Sequence, residues 1–477
     1  MKRTDLAVST AVGMKTGATV VAMLAIASCA SVGGETATVE PTNAQIRAGG
    51  IEGGLFIAPS DEKRRAFVES DPACRREAYA LADRVDCLVL DQRALAQTLA
   101  AIDKKAKFRM QLLPEKLHRP DLYFAKDVGS RLKDDAAVVR YSWQGSVRSR
   151  AKPHAKLGTA MFFIRGDSLV GRITTDSAVY EIRPLEGGVH VIITVDPKKR
   201  PPLPLHPAAG DSGYKPGRRA AQGSLMAGAH MIETSIRRRD CQCDGESQNN
   251  GLAVPTITVE IMFEEGSVPL STDLHALGAG YVVFTNQALT NSLVRATIFD
   301  VPKIRVIQKF VESKDSLKDL VMGDSQSGGM IGKVHSWREQ DRADLVMLMT
   351  KGFGFYGYTI STMPFDPKLG FSLVWPEVGI TELQVAHEIG HQLGADHQPD
   401  APVADRSECF ARAHVLVGAT EHKTIMVWSG GTSEPHYSNP KVYWNEIDSS
   451  SATGVPDISD NACAIGRRAA FVANYMP

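Results

Sequence analysis

Residues 387–397 read His387-Glu388-Ile389-Gly390-His391-Gln392-Leu393-Gly394-Ala395-Asp396-His397. His387 and His391 stand four apart, so on a helix their imidazoles share one face, one turn apart. That is the separation two ligands need to reach a single tetrahedral ion with Zn–N bonds of about 2.0–2.1 Å. Gly394 follows three residues later. Glycine accepts positive φ and turns the chain off a helix end, which would bring His397 back as a third ligand. Three histidines leave one tetrahedral position open for water, the arrangement of catalytic rather than structural zinc. Glu388 adjoins the first ligand but points round the helix, where it can accept a proton from such a water. With 13 His and 41 Gly in 477 residues, the full constellation arises by chance on the order of 10⁻⁴ times or less per chain, whereas HExxH alone is far less selective.

The elements that must hold these residues can be read around them. Thr381 and Gln384 form an S/T-x-x-E/Q pattern, which predicts a capping box at the helix start. Leu383, Ala386, Ile389 and Leu393 recur at helical spacing and should pack on a sheet. Upstream, Thr256–Phe263 alternates as a half-buried strand does, and Leu274–Val294 reads as a helix. Lys303–Gln308 and Ala343–Met349 read as strands, with helices near Ser313–Val321 and Met330–Gln340, so strand and helix alternate as in an α/β layer. Earlier still, Thr159–Ile164, Ser168–Thr174, Ala178–Ile182 and Gly188–Val195 are strand-like runs separated by turn signals, which suggests an antiparallel meander. Gly352–Gly357 matches G-x-G-x-x-G, but no helix opens at its last glycine. The dinucleotide reading therefore fails, and these glycines are expected to serve a turn into an edge strand.

The pattern H-E-x-x-H-x-x-G-x-x-H resembles the zinc signature of the metzincin metallopeptidases. Thr424-Ile425-Met426-Val427-Trp428 is the best match to the family's methionine turn, whose Met packs beneath the histidines without binding metal. His436-Tyr437-Ser438-Asn439-Pro440 resembles the segment that walls the S1′ pocket in reprolysin-like members, and Gly166–Pro184 looks similar to the propeptide domain of bacterial ones. The resemblance implies an α/β (α+β) metzincin-like catalytic domain over 254–477, with a mixed, mostly parallel twisted sheet and an active-site helix, preceded by a β-rich N-terminal domain. It implies a zinc-dependent endopeptidase with one catalytic Zn²⁺, protein or peptide substrates and Glu388 as general base. The substrate chain would lie antiparallel to an edge strand within Gly357–Trp375. Two departures stand out: Gln398 follows the third histidine where many reprolysins have Asp, and Trp428 stands where some metzincins carry a zinc-reaching Tyr. His335, His422 and His436 lack ligand spacing and read as ordinary residues.

The remaining chain bears on location and latency. Lys+Arg 54 balances Asp+Glu 54, so nothing points to a nucleic-acid partner, and 43% hydrophobic with 23% charged residues is ordinary for globular protein. The apolar run Ala18–Ser28 is too short for a bilayer span of ~20 residues and fits a signal peptide. It ends Ile26-Ala27-Ser28-Cys29, which resembles a lipobox with Cys29 as the lipidated residue, and would be the only membrane attachment. Ala30 after it favours the outer membrane or surface by resemblance to Gram-negative lipoproteins; plain secretion is the alternative. The expected divisions are a signal peptide 1–28, a tether 29–50, a β-rich propeptide-like domain 51–206, a linker 207–253 and the zinc-protease domain 254–477. Export places the other six cysteines in an oxidising compartment. Cys409 and Cys463 are the only two in the last third and are expected to pair. Cys241 and Cys243 are expected to bond to Cys74 or Cys87; by resemblance, a thiolate of either could instead hold the fourth zinc position. Arg237–Arg239 is an exposed basic stretch and a candidate processing point. The competing function class is a lipid-anchored binding or adhesion protein that uses zinc as a structural staple.

Overall fold

The computed structural model describes residues 50–104, 109–111, 122–131, 140–149, 156–195 except 176, and 253–476 except 301–302, 312–314, 352–355, 361–365, 399–409, 417–421, 429–430 and 445–451. The signal peptide, Cys29, most of the tether and linker, Arg237–Arg239, Cys241, Cys243 and Cys409 lie outside the described residues. Among the described residues, no helix is long and apolar enough to cross a membrane.

The first sheet has ten strands: β1 (Gly50–Gly54), β2 (Phe56–Ile57), β3 (Arg84–Leu90), β4 (Arg109–Gln111), β5 (Leu122–Arg131), β6 (Arg140–Ser149), β7 (Lys156–Arg165), β8 (Ser168–Thr174), β9 (Val179–Pro184) and β10 (Val189–Val195). From β4 to β10 each strand pairs antiparallel with the next, and β7–β10 are the meander expected from the turn signals. Alternation decides the two faces. Phe162, Ile164, Ile173 and Ile182 face one cluster with Leu95 and Ile102 of helix α2 (Gln92–Asp103), which follows α1 (Glu62–Ser70). Met161, Phe163 and Val170 face the other way, into the core of the second sheet.

That second sheet contains β11 (Thr256–Glu264), β12 (Thr297–Asp300), β13 (Arg305–Ile307), β14 (Leu345–Met349), β15 (Gly357–Thr359) and β16 (Phe371–Val374). Its order is β12-β11-β14-β16-β15, with β13 also on β11. Every pairing is parallel except β15 against β16 at the edge. One face carries α3 (Leu274–Asn291), α7 (Gln384–Gln392) and α8 (Asn461–Val472). Residues of α4 (Asp315–Met322) and α5 (Gly329–Asp341) pack on the other. The short α6 (Pro376–Gly379) leads from β16 towards α7. A small sheet of β17 (Val415–Leu416), β18 (His422–Lys423) and β19 (Thr432–Ser433) follows.

Two expectations are corrected here. β11 is not half-buried: its residues from Val259 onward are all buried, because helices cover both faces of a central strand. Ile257, Val259, Ile261 and Phe263 enter the main core. On the opposite face Glu260 accepts from Arg305 at 2.6 Å, and Glu264 accepts from the Phe310 and Val311 amides at 2.7 and 2.8 Å. Helix α3 ends at Asn291 rather than Val294, since Leu293 takes a left-handed φ of 58°.

Thr42–Pro477 forms one compact unit, and α3 explains why. It is apolar around most of its circumference, as a helix packed on several sides must be. An added Cβ at Gly280 would lie 2.7 Å from Val170 Cγ1, so only glycine lets α3 approach β8 this closely. Polar ties cross the same boundary. Ser168 Oγ donates to Asp273 at 2.6 Å. Arg172 of β8, 1% exposed, donates to the Thr381 carbonyl at 3.2 Å and the Ser433 carbonyl at 2.6 Å. Arg183 of β9 donates to the Pro376 carbonyl at 2.9 Å and to Glu181 at 2.5 Å. Burial pulls the Arg172 guanidinium down to about 10, opposed by the Glu434 and Glu181 charges, so it stays protonated at neutral pH.

Replacing Arg172 with Met should leave two buried carbonyls unpaired and cost about 2–4 kcal/mol of stability. A chemical-denaturation or thermal-melting comparison checks this; an unchanged transition would show that the arginine carries no such load.

Candidate active site

The entry to α7 differs from the predicted capping box. Thr381 Oγ1 donates to the Glu377 carbonyl at 3.0 Å, closing α6, and does not cap α7. Leu383 occupies the N-cap position with a left-handed φ of 57° and no side-chain cap. That conformation is unfavourable for leucine, and several contacts hold it. The Leu383 side chain is buried in the core, its carbonyl accepts from His387 N at 2.9 Å, Ser433 Oγ donates to Glu382 at 3.1 Å, and Arg172 anchors Thr381. Gln384, freed from capping, turns its amide to Glu388.

Ala386, Ile389 and Leu393 bury against the sheet as their spacing predicts. Gly394 takes φ 85°, and the Ala395 amide donates to the Gly390 carbonyl at 2.9 Å, closing the helix end. Downstream, Asp396 Oδ1 accepts from the His397 amide at 2.7 Å. Arg412 pairs with Asp396 at 2.7 Å, and Asn461 of α8 bonds both the Asp396 amide (3.0 Å) and its carbonyl (3.1 Å).

These constraints bring three ring nitrogens together. His387 Nε2, His391 Nε2 and His397 Nε2 lie 3.1 Å from one another in all three pairs. His387 Nδ1 is 2.9 Å from the Ile425 carbonyl, and His391 Nδ1 is 3.1 Å from the Ala395 carbonyl. A carbonyl only accepts, so both Nδ1 atoms carry a proton, and in the neutral rings both Nε2 atoms present lone pairs. Two buried lone pairs facing each other at 3.1 Å repel unless a cation lies between them. A tetrahedral ion with bonds of about 2.0–2.1 Å spaces its ligands by about 3.3 Å, close to the observed triangle. The residues present therefore fit a metal ion, and these three form a buried group able to hold one.

Glu388 is 0% exposed and directs its carboxylate towards the edge strand. Its Oε1 accepts from Gln384 Nε2 at 2.7 Å, and its Oε2 accepts from Thr359 Oγ1 at 2.5 Å. Burial pushes its carboxyl above the ordinary glutamate range, while nearby His391 and the Thr359 and Gln384 donors oppose the shift. A Cβ on Gly357 would sit 2.1 Å from Glu388 Oε1, so that glycine makes room for the carboxylate. Gly357 is the last glycine of the rejected dinucleotide pattern, and it does open an edge strand.

Met426 lies beneath α7, fully buried. A Cβ on Gly390 would meet Met426 Sδ at 2.5 Å and Tyr437 Cε1 at 3.0 Å. Tyr437 donates its hydroxyl to the Ala386 carbonyl at 2.7 Å. Trp428 packs edge-on against the His397 ring at 5.0 Å, and its amide donates to Gln398 Oε1 at 2.8 Å. Gln398 thus ties the third-histidine loop to the methionine turn. His335 is paired with the Leu320 carbonyl and His422 with Glu434, and neither joins the triad.

The cysteines require a second correction. Cys74 and Cys87 are bonded to each other, so neither pairs with Cys241 or Cys243. Pro72–Cys74 packs beside β3, which brings the two sulfurs together across only 13 residues. Cys463, in the first turn of α8, is disulfide-bonded; Cys409, its expected partner, lies outside the described residues.

Sequence reasoning missed Thr359 and Ser372, and it assigned Gln384 and Gly357 other tasks. Nothing in the one-dimensional pattern marks Thr359; only the sheet pairing places it against a helix 29 residues away. Substituting Gly390 with Ala should force Met426 or Tyr437 to shift and cost about 1–3 kcal/mol of stability, read as a lowered melting temperature. Unchanged melting would show that the close approach is not constrained.

Residues 306–451 match the metallo-peptidase family M12B reprolysin-like domain. A peptidyl-Asp metalloendopeptidase of Xanthomonas campestris pv. campestris is 22% identical over 321 residues, 65% of this chain and 71% of that protein. One from Stenotrophomonas maltophilia is 25% identical over 307 residues, 62% of this chain and 66% of the relative. Among solved structures, metalloproteinase-II from Bacteroides fragilis matches at 12% identity over 74% of this chain and 94% of its own, with a TM-score of 0.34. A chain from a chaperone–substrate complex matches at 17% identity over 47% of this chain and 36% of its own, with a TM-score of 0.37. Neither structural likeness carries an argument about the fold. The family match and the named relatives, set beside the buried histidine triad, show that the chain carries a reprolysin-like metallopeptidase domain of family M12B and is a metalloendopeptidase.

Proposed function

We propose that the chain hydrolyses peptide bonds within proteins at a zinc site held by His387, His391 and His397, with Glu388 as general base. The observation that carries this reading is the triangle of buried Nε2 atoms, all 3.1 Å apart, on the same helix as a fully buried carboxylate. Zinc, when bound, supplies a Lewis acid and lowers the pKa of the water it carries from about 15.7 towards ~7. The Ile425 and Ala395 carbonyls hold the first two imidazoles in the ligating tautomer. Glu388 takes a proton from the attacking water and returns it to the leaving amine. β15 is the sheet's edge, where an extended substrate could add antiparallel on the side that touches Glu388.

The finer readings of the chain rest on sequence. We propose residues 254–477 as the protease domain, residues 51–206 as a propeptide-like partner and Met426 as the support beneath the ligands. Export with lipid attachment at Cys29, to the outer membrane or cell surface, is supported by the short apolar run and the residues around that cysteine. With Cys74 and Cys87 bonded to each other, a latency role for Cys241 or Cys243 becomes the more economical proposal. The structural-staple alternative requires a metal site without turnover, and a buried base beside the triad argues against it.

The decisive variant is Glu388→Gln, which keeps the size and one acceptor oxygen but cannot take the proton. It should retain stoichiometric zinc and lose roughly 10²–10⁴-fold in kcat on casein; wild-type turnover would remove Glu388 from the mechanism. The relatives' names suggest a preference for aspartate, which we extend to this chain. Matched peptides differing only by Asp→Asn beside the scissile bond should differ by about tenfold or more in kcat/KM. Equal rates would confine the aspartate preference to the relatives.

A further inference from the structure

We propose that Thr359 of the edge strand, seated beside Gly357 and backed by Ser372 and Gln392, is the positioning residue that aims the Glu388 carboxylate. The proposal rests on Glu388 being the general base.

Gln384 lies on the same helix as Glu388, four residues earlier, and holds only Oε1. With that bond alone the carboxylate could pivot. The second fixed point comes from a different element: Thr359 of β15 holds Oε2. Two donors from two elements define both the position and the plane of the carboxylate. Each oxygen still keeps a lone pair for the reacting proton.

The direction of these bonds follows from proton counting. Thr359 Oγ1 lies 2.5 Å from Glu388 Oε2 and 2.6 Å from Ser372 Oγ, yet it has one proton. The carboxylate is the stronger acceptor and takes it. Ser372 must then donate to Thr359, and Gln392 Nε2 lies 3.3 Å from Ser372 Oγ. The same amide is anchored on the carbonyls of Leu369 (2.9 Å) and Phe371 (3.1 Å). The two protons of that amide go to those carbonyls, so the donor chain runs from Ser372 through Thr359 to Glu388, with Gln392 fixed behind Ser372. Such one-way chains strengthen each member. Gln392 is the residue after the second histidine and Glu388 the residue after the first, so these contacts close a loop through β16 and β15.

Gly357 supplies the space. Any Cβ there would press on Glu388 Oε1 at 2.1 Å and on Gln384 Nε2 at 2.8 Å. The strand proposed to seat the substrate thus also walls and aims the base, which would place peptide and base in common register.

The test compares zinc-loaded, full-length Thr359→Val, Thr359→Ser and Glu388→Gln. Thr359→Val removes the hydroxyl with little change of shape. It should keep stoichiometric zinc, lower kcat roughly tenfold to a hundredfold and leave KM within about twofold. Thr359→Ser should recover most of the loss. Melting supplies a readout independent of turnover: the shifts of Thr359→Val and Glu388→Ala should be less than additive in the double variant, because one bond is lost only once. If Thr359→Val does not hold zinc, Ser372→Ala, which removes only the backing hydroxyl, should show a smaller fall in kcat at unchanged zinc. Wild-type kcat in Thr359→Val, no recovery with Ser, or additive melting shifts would each overturn the proposal. Glu388→Gln separates the two levels: its loss beside a fully active Thr359→Val defeats the positioning role alone, whereas an active Glu388→Gln defeats the base assignment and this proposal with it.

Discussion

Three imidazole nitrogens held 3.1 Å apart in a buried site are an electrostatic problem before they are a metal site. The protein sets that problem up deliberately. Backbone carbonyls at Ile425 and Ala395 accept from Nδ1 of His387 and His391, so in the neutral rings the Nε2 lone pairs are turned inward. Neither carbonyl belongs to the motif helix. One comes from the methionine turn, the other from the loop after Gly394. The site therefore requires the turn, the helix and the loop to be in place together, and a cation is what makes their convergence favourable.

Much of the rest of the fold secures that convergence. Gly390 lets Met426 and Tyr437 press against the back of the helix. Gln398 joins the third-histidine loop to the turn at Trp428, and Asn461 reaches from α8 to fix Asp396. On the far side, the first sheet shares the hydrophobic core through Met161, Phe163 and Val170. Its Arg172 holds the segments on both sides of the site, at Thr381 and Ser433. The N-terminal strands thus bear on how α7 begins, including the left-handed backbone at Leu383. Their polar contacts with the second half reach segments around the helix, at Pro376, Thr381 and Ser433.

Legibility tracked sequence distance. The three histidines lie within eleven residues, so helical spacing and one glycine suffice to place them together. The meander and the α/β alternation were readable because each element's burial is written in its own residues. Thr359 and Ser372 were invisible, since strand pairing alone brings them to Glu388. Arg172 acts on Thr381 across 209 residues. Where a local pattern did mislead, tertiary structure had reassigned the same side chains. Thr381 and Gln384 have the composition of a capping box, but one closes α6 and the other holds the Glu388 carboxylate. The alternation in β11 was real, yet its polar face is buried too, paired at Glu260 with Arg305. Counting cysteines offered Cys74 and Cys87 to the C-x-C pair, whereas a 13-residue separation and the packing of β3 joined them to each other.

The proposed site requires that His387, His391 and His397 bind the ion through nitrogen. X-ray absorption at the zinc edge of the full-length protein tests it most directly. The predicted result is one zinc per chain with three nitrogen scatterers at about 2.0–2.1 Å and one further ligand. A chain that retains no zinc, or a zinc shell with fewer than three nitrogen ligands, would contradict it.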